Sequence, residues 1–198
     1  ETIGWRRYGH AVAADGVGAP GGARRAALIR VMVDAVRAEG PAASIDALSR
    51  AAGVPKSVLY NHFADKDGLM SAVGDAVADE WGDRLQTGPS RGDDRAEGRA
   101  SVEAFLVIAE TEPQLYELVR CGGGPQAVSL RAERIGAGVV AAVAPAGSDP
   151  NPVMAAAVGG ALLATVDQWL RQGATDRDIL VDALLTFVRG GLHHPPPA

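Results

Sequence analysis

The chain holds a single cysteine, Cys121, so it can form no internal disulfide and no multi-cysteine zinc site. A reducing compartment is the default for such a sequence. Lysine is almost as scarce: Lys56 and Lys66 are the only two, and the other seventeen basic residues are arginine. With abundant Ala and Gly, this bias suggests GC-rich codons and a bacterial source. Aromatics are only 5% of the 198 residues. No run reaches the roughly 18 unbroken apolar residues of a membrane span. The longest candidate, Val153 to Val166, lies between Asp149 and Asp167 and is too short. Alternating strand patterns are nearly absent. The first residues carry charge with no apolar run behind them, unlike a signal peptide. The chain starts at Glu1 rather than a methionine, which leaves room for sequence upstream.

What is present is a globular balance of 47% apolar and 22% charged residues. The net charge of −5 argues on its face against binding phosphates. It is unevenly spread, however. Residues 1–66 carry +3 and residues 67–198 carry −8. A mildly basic front and an acidic back suggest two different jobs.

Helical periodicity dominates the chain. A Gly/Ala-rich arm over residues 1–23 precedes a helix from about Arg24 to Ala38, which Gly40 and Pro41 end. Ser44 caps a short second helix, and Gly53 ends it. Pro55 suits the first position of a third helix, to His62. Asp65 caps a fourth, from Lys66 to about Leu85, and the polar stretch 87–98 is expected to be a loop. Helices are then expected over 100–111, 113–121, 125–144, 153–172 and 175–189, with a frayed tail beyond.

Ser44 to Lys66 carries the strongest signal. Two short amphipathic helices meet at a tight turn around Gly53, preceded by the small pair Ala51-Ala52. That is a helix-turn-helix pattern, whose second helix enters the DNA major groove. Leu59 and Phe63, four apart, should pack inward. Lys56, Ser57, Val58, Tyr60, Asn61 and His62 are left for the outward faces.

Residues 24–66 resemble the DNA-binding domain of the tetracycline-repressor (TetR) family. The Gly53-Val54 turn, the Leu59-Tyr60-Asn61-His62-Phe63 run, and Lys66 with Leu69 three residues on are similar to its signature. Pro55 replaces a usual Ser, Ser49 a usual Ala, and Asp46 is acidic on a helix expected near phosphates. The resemblance implies an all-α fold of about nine helices: a three-helix DNA-binding domain over 24–66, a ligand-binding and dimerisation domain over 67–190, and a flexible tail over 191–198. It implies a homodimeric, cytoplasmic transcriptional repressor, released from double-stranded operator DNA by a small-molecule effector.

By the same resemblance, Lys56, Tyr60, His62 and Lys66 match positions beside phosphates, and Ser57, Val58 and Asn61 match positions facing bases. Ser44 is counted with them. The chemistry fits: lysine suits phosphate, the Val58 methyls suit a thymine methyl, and Asn61 suits an adenine edge. Arg6, Arg7 and Tyr8 have the composition of a minor-groove arm, although an unanchored extension is the simpler reading. Trp81, Phe105, Ile108, Tyr116, Val119, Cys121 and Leu130 lie on helices that surround the family's effector pocket. Small residues from Ala155 to Ala164, with Leu180, Leu184, Phe187 and Val188, offer the last two helices for dimerisation.

Other signals fall away. Gly136-Ala-Gly138-Val-Val-Ala141 matches a dinucleotide-binding pattern, but it follows a helix-like stretch rather than a buried strand. Cys121 has no activating base near it in sequence, and His193-His194 supplies too few metal ligands. No enzyme, metal or cofactor is therefore expected. The rival readings are a constitutive DNA binder controlled by a protein partner and, less favoured, a helical enzyme.

Overall fold

The computed structural model describes residues 21–86, 94–143, 151–173 and 175–192. Among them every regular element is a helix. In chain order these are α1 (Gly21–Glu39), α2 (Ile45–Ala52), α3 (Lys56–His62), α4 (Lys66–Gln86), α5 (Asp94–Thr111), α6 (Pro113–Cys121), α7 (Gly124–Val143), α8 (Pro152–Gln172) and α9 (Arg177–Leu192). The arm residues Arg6, Arg7 and Tyr8 lie outside the described residues.

Local chemistry explains most helix ends. The Ser44 hydroxyl accepts the Ala47 N–H at 3.2 Å and caps α2. Gly53 ends that helix in the left-handed conformation, φ 63°, which glycine adopts without a Cβ penalty. Asp65 accepts the Gly68 N–H at 2.7 Å at the start of α4, as its position suggests. Asn151 caps α8 through Val153, and Gly173 closes it, again left-handed. Several boundaries depart from the sequence reading: α1 starts at Gly21, within the expected arm, and α9 runs from Arg177 to Leu192, into the expected tail. Pro55 is the capping residue of α3 rather than its first helical residue. α5 begins at Asp94, inside the stretch expected to be loop. Gly98 explains part of that extension: it is buried, and a Cβ there would press on Val143 and Leu185.

One apolar core runs through both parts of the chain. α1 contributes Leu28, Met32, Ala35 and Val36, which meet Leu48, Leu59 and Phe63 of the helix-turn-helix and Leu69 of α4. Further on, Trp81 packs edge-on against Phe105 with ring centroids 6.5 Å apart, and Phe105 meets Tyr116 at 6.2 Å. α7 sits between α4 and α8 at very close range. The backbone of Gly138 faces that of Gly82 on α4, and Gly136 faces Ala155 and Gly159 on α8. The glycine pattern that mimics a nucleotide loop is thus a packing device: without Cβ atoms, three helix backbones approach closely.

α8 is the one helix among the described residues long and apolar enough to cross a membrane, with 21 residues and an 18-residue stretch of mean hydropathy 1.4. A core helix passes the same test, and this one buries Ala155, Val158, Gly159, Leu162, Leu163 and Val166 within the chain.

Candidate nucleic-acid interface

The turn between α2 and α3 is held by its own polar groups. The Val54 N–H donates to the Ser49 carbonyl at 3.0 Å, and the Ser49 hydroxyl donates to the Val54 carbonyl at 2.5 Å. Serine in place of a simple alanine therefore adds a staple across the turn. Leu59 and Phe63 are buried, as their spacing predicts. The Arg25 guanidinium lies 4.8 Å above the Phe63 ring and ties α1 to the end of α3 by a cation–π contact.

With that anchor, α3 presents Lys56, Ser57, Tyr60 and Asn61 to solvent. They form two i,i+4 pairs on one face. Tyr60 is 49% exposed, which is unusual for a tyrosine with no obligation to face water. Val58 and His62 are only half-exposed, and Val58 packs against the core. Of the eight residues assigned to DNA from sequence, those two therefore turn partly inward. Ser44 is exposed but is engaged in capping α2. Lys66 is half-buried and donates to the Ala42 carbonyl at 3.4 Å. Lys56 forms an ion pair with Asp46 of α2 at 2.6 Å. The Asp46 carboxylate raises the pKa of the Lys56 ammonium by hydrogen bonding and by charge.

None of the seven residues assigned to an effector lines the groove described below. Trp81, Phe105, Ile108, Tyr116 and Val119 are buried in the packed core. The Tyr116 hydroxyl donates to the Leu163 carbonyl at 2.8 Å. Burial and the nearby Asp167 carboxylate push its pKa up, so it remains a donor. Cys121 and Leu130 are exposed. Desolvation first, then the charge of Glu117, raises the Cys121 pKa, which disfavours a reactive thiolate.

A separate groove of about 410 Å³ opens between the end of α6, the start of α7 and one side of α8. Ala132, Ala156, Gly160 and Ala164 form its flat wall, and Arg120 and Asp167 its polar end. Arg120 Nε lies 3.3 Å from Asp167 but in poor hydrogen-bonding alignment, and it has no other partner. Sequence periodicity could not reveal this groove, since its wall is made of residues too small to mark a face.

Arg131 is the least expected residue. Its side chain is fully buried, yet every nitrogen is engaged. Nε donates to Asp75 at 2.9 Å, Nη1 to the carbonyls of Gly122 at 2.6 Å and Leu118 at 3.2 Å, and Nη2 to the Ser71 carbonyl at 3.0 Å. One guanidinium thus ties α4 to the end of α6. Gly74 makes room for it: a Cβ there would lie 2.6 Å from the Arg131 Cζ.

A helix-turn-helix with an exposed second helix, mounted on an all-helical body, is an arrangement found in DNA-binding proteins. The family model described as "Bacterial regulatory proteins, tetR family" matches residues 37–73, which span the turn, α3 and the start of α4. That stretch is thus similar to the DNA-binding segment of the tetR family. The chain is similar in structure to a tetR-family transcriptional regulator from Streptomyces coelicolor, with TM-score 0.63, 19% identity, and coverage of 88% of this chain and 81% of that one. A tetR-family regulator from Pectobacterium atrosepticum gives 0.57 at 25% identity, covering 87% and 92%. The structure of RolR in complex with resorcinol gives 0.54 at 18% identity, covering 90% and 97%. A search of curated proteins finds no match.

Proposed function

We propose that this chain is a cytoplasmic homodimeric repressor, released from its operator when a small molecule binds its C-terminal half. The observation that carries the DNA half is the exposed α3 face of Lys56, Ser57, Tyr60 and Asn61 above a buried Leu59–Phe63 anchor. Tyr60→Ala and Lys66→Ala should each weaken binding about equally for all sequences, and Asn61→Ala should relax preference at one base pair. A binding-selection assay on these variants that returned the opposite pattern would overturn the assignment.

Support for the dimer is partial. Leu180, Leu184 and Val188 of α9 are buried within the chain, and Ala155 and Gly159 are taken up by α7. The large apolar side chains left exposed on these helices for a second copy are Ile179 and Phe187 on α9 with Val153 and Leu170 on α8.

For the effector, the α6–α8 groove needs no displacement of core side chains, whereas entry among Trp81, Phe105, Ile108, Tyr116 and Val119 does. Its size falls in the usual range for small-molecule sites. Its flat small-residue wall and the unpartnered Arg120 N–H suit a compact planar molecule with an acceptor group. RolR, of similar fold, is described with the phenol resorcinol. Arg120 lies in the same helix end that Arg131 ties to α4, so a ligand there has a short route to the DNA-binding domain. Tilting α4 would change the separation of two recognition helices, which must stay near 34–36 Å to meet successive major grooves.

Gly160→Leu tests the groove directly. A Cβ at Gly160 meets nothing within 4 Å, and Gly160 lines the groove, so a leucine there starts from open space toward it. In a thermal-shift screen of phenols and small aromatic acids, the native chain should show ligands that raise the melting temperature and release DNA. The Gly160→Leu variant should keep its stability and lose those shifts. Shifts that persist unchanged in the variant would place the effector elsewhere, and a screen without hits would favour a protein-controlled regulator.

A further inference from the structure

The recognition helix α3 carries one lysine and no arginine, and the chain holds only two lysines in all. α2 beside it contributes one acid, Asp46, and one arginine, Arg50. The lone α3 cation, at the start of the helix expected to meet DNA, is paired with that acid at 2.6 Å while both side chains remain well exposed. Asp46 belongs where it is for a second reason: in the first turn of α2 its charge complements the helix dipole. Asparagine there would preserve much of the local helix chemistry, so a charge at this position is not required for the fold.

We propose that Asp46 acts as an internal competitor for DNA phosphate. In the free protein it holds the Lys56 ammonium, and on binding the pair must open so that Lys56 can meet the DNA backbone. Asp46 then remains close to the phosphates as an uncompensated negative charge. Both effects lower the sequence-independent part of the affinity, the part that phosphate contacts supply. In a DNA-binding half whose net charge is only +3, one neutralised cation is a large share of the available attraction. Asp46 therefore limits idle binding to random DNA and leaves recognition to the base-facing side chains of α3.

This rests on the assignment of α3 as the DNA-reading helix. The test uses the full chain and a labelled random-sequence duplex long enough to span two major grooves, titrated by fluorescence anisotropy over a range of salt. Asp46→Asn should tighten binding about two- to five-fold. It should also steepen the dependence of log affinity on log salt by about 0.9 for each protomer bound. Lys56→Gln should weaken binding, and in the Lys56→Gln background Asp46→Asn should tighten it by clearly less than in the native background.

Unchanged or weaker binding by Asp46→Asn would overturn the proposal, because the acid would then be inert or would position Lys56 for DNA. A gain that survives undiminished with Lys56→Gln would also overturn it, since Asp46 would be acting as bulk charge. A native chain that binds no duplex at all would instead defeat the DNA-reading assignment of α3 itself.

Discussion

Gly159→Ala should prevent α8 from docking on α7, with a loss of more than about 3 kcal/mol out of the roughly 5–15 that hold a domain folded. The added Cβ would overlap the Ala132 carbonyl oxygen and crowd the Ala132 backbone. Overpacking usually costs about 1–3 kcal/mol because a side chain can move aside. Here the obstacle is the backbone of another helix, so the helices themselves must separate. That would open the contacts Gly136 makes with Ala155 and Gly159 across the same crossing. Gly160→Ala is the control, one residue along the same helix. Its Cβ meets nothing within 4 Å. Alanine there should therefore stabilise by about 0.5–1 kcal/mol through helix propensity alone. Urea denaturation followed by circular dichroism compares the two. A Gly159→Ala chain that unfolds at the native midpoint would refute the close crossing.

Arg131→Met should cost about 3 kcal/mol or more, the penalty for breaking a buried ion pair and its hydrogen bonds. Methionine fills much of the space but supplies no donors. The carbonyls of Leu118, Gly122 and Ser71 would lose their partner, and Asp75 would keep only Arg134, 3.6 Å away. For a chain of this length the melting temperature should fall by roughly 6–12 °C. Arg131→Lys should recover little of the loss, since an ammonium cannot reach all four partners on α4 and at the end of α6. The bridge joins α4 to the end of α6, so the variant should also weaken the proposed coupling of the groove to α4. An effector that still stabilises Arg131→Met but no longer releases its DNA would separate this role from folding. A native-like melting temperature would show that the buried bridge contributes nothing.

The helix ends and the class of the DNA-binding unit were readable residue by residue. Ser44, Gly53, Asp65 and Pro113 act on hydrogen bonds or dihedral angles within a few positions, so their effect survives without knowledge of the rest of the chain. The Leu59–Phe63 spacing likewise places the buried side of α3 and, by elimination, its exposed side. The start of α5 was not readable. Its first turns look like loop in composition, and Gly98 there has a purpose only when Val143 and Leu185 lie against it.

The same distinction runs through the functional sites. The sequence alone determined that this chain carries a helix-turn-helix, because that motif is a local arrangement of caps, a glycine turn and an apolar pair. Only the tertiary structure decided that Gly136, Gly138 and Gly159 are crossing points, that Arg131 is a buried bridge, and that the assigned effector aromatics fill a core while a groove opens elsewhere. It also paired Lys56 with Asp46, ten residues apart across a turn. Glycine, alanine and arginine carry no periodic signature of burial, so their roles depend on which backbone or carbonyl arrives opposite them, and that is settled by how the helices cross.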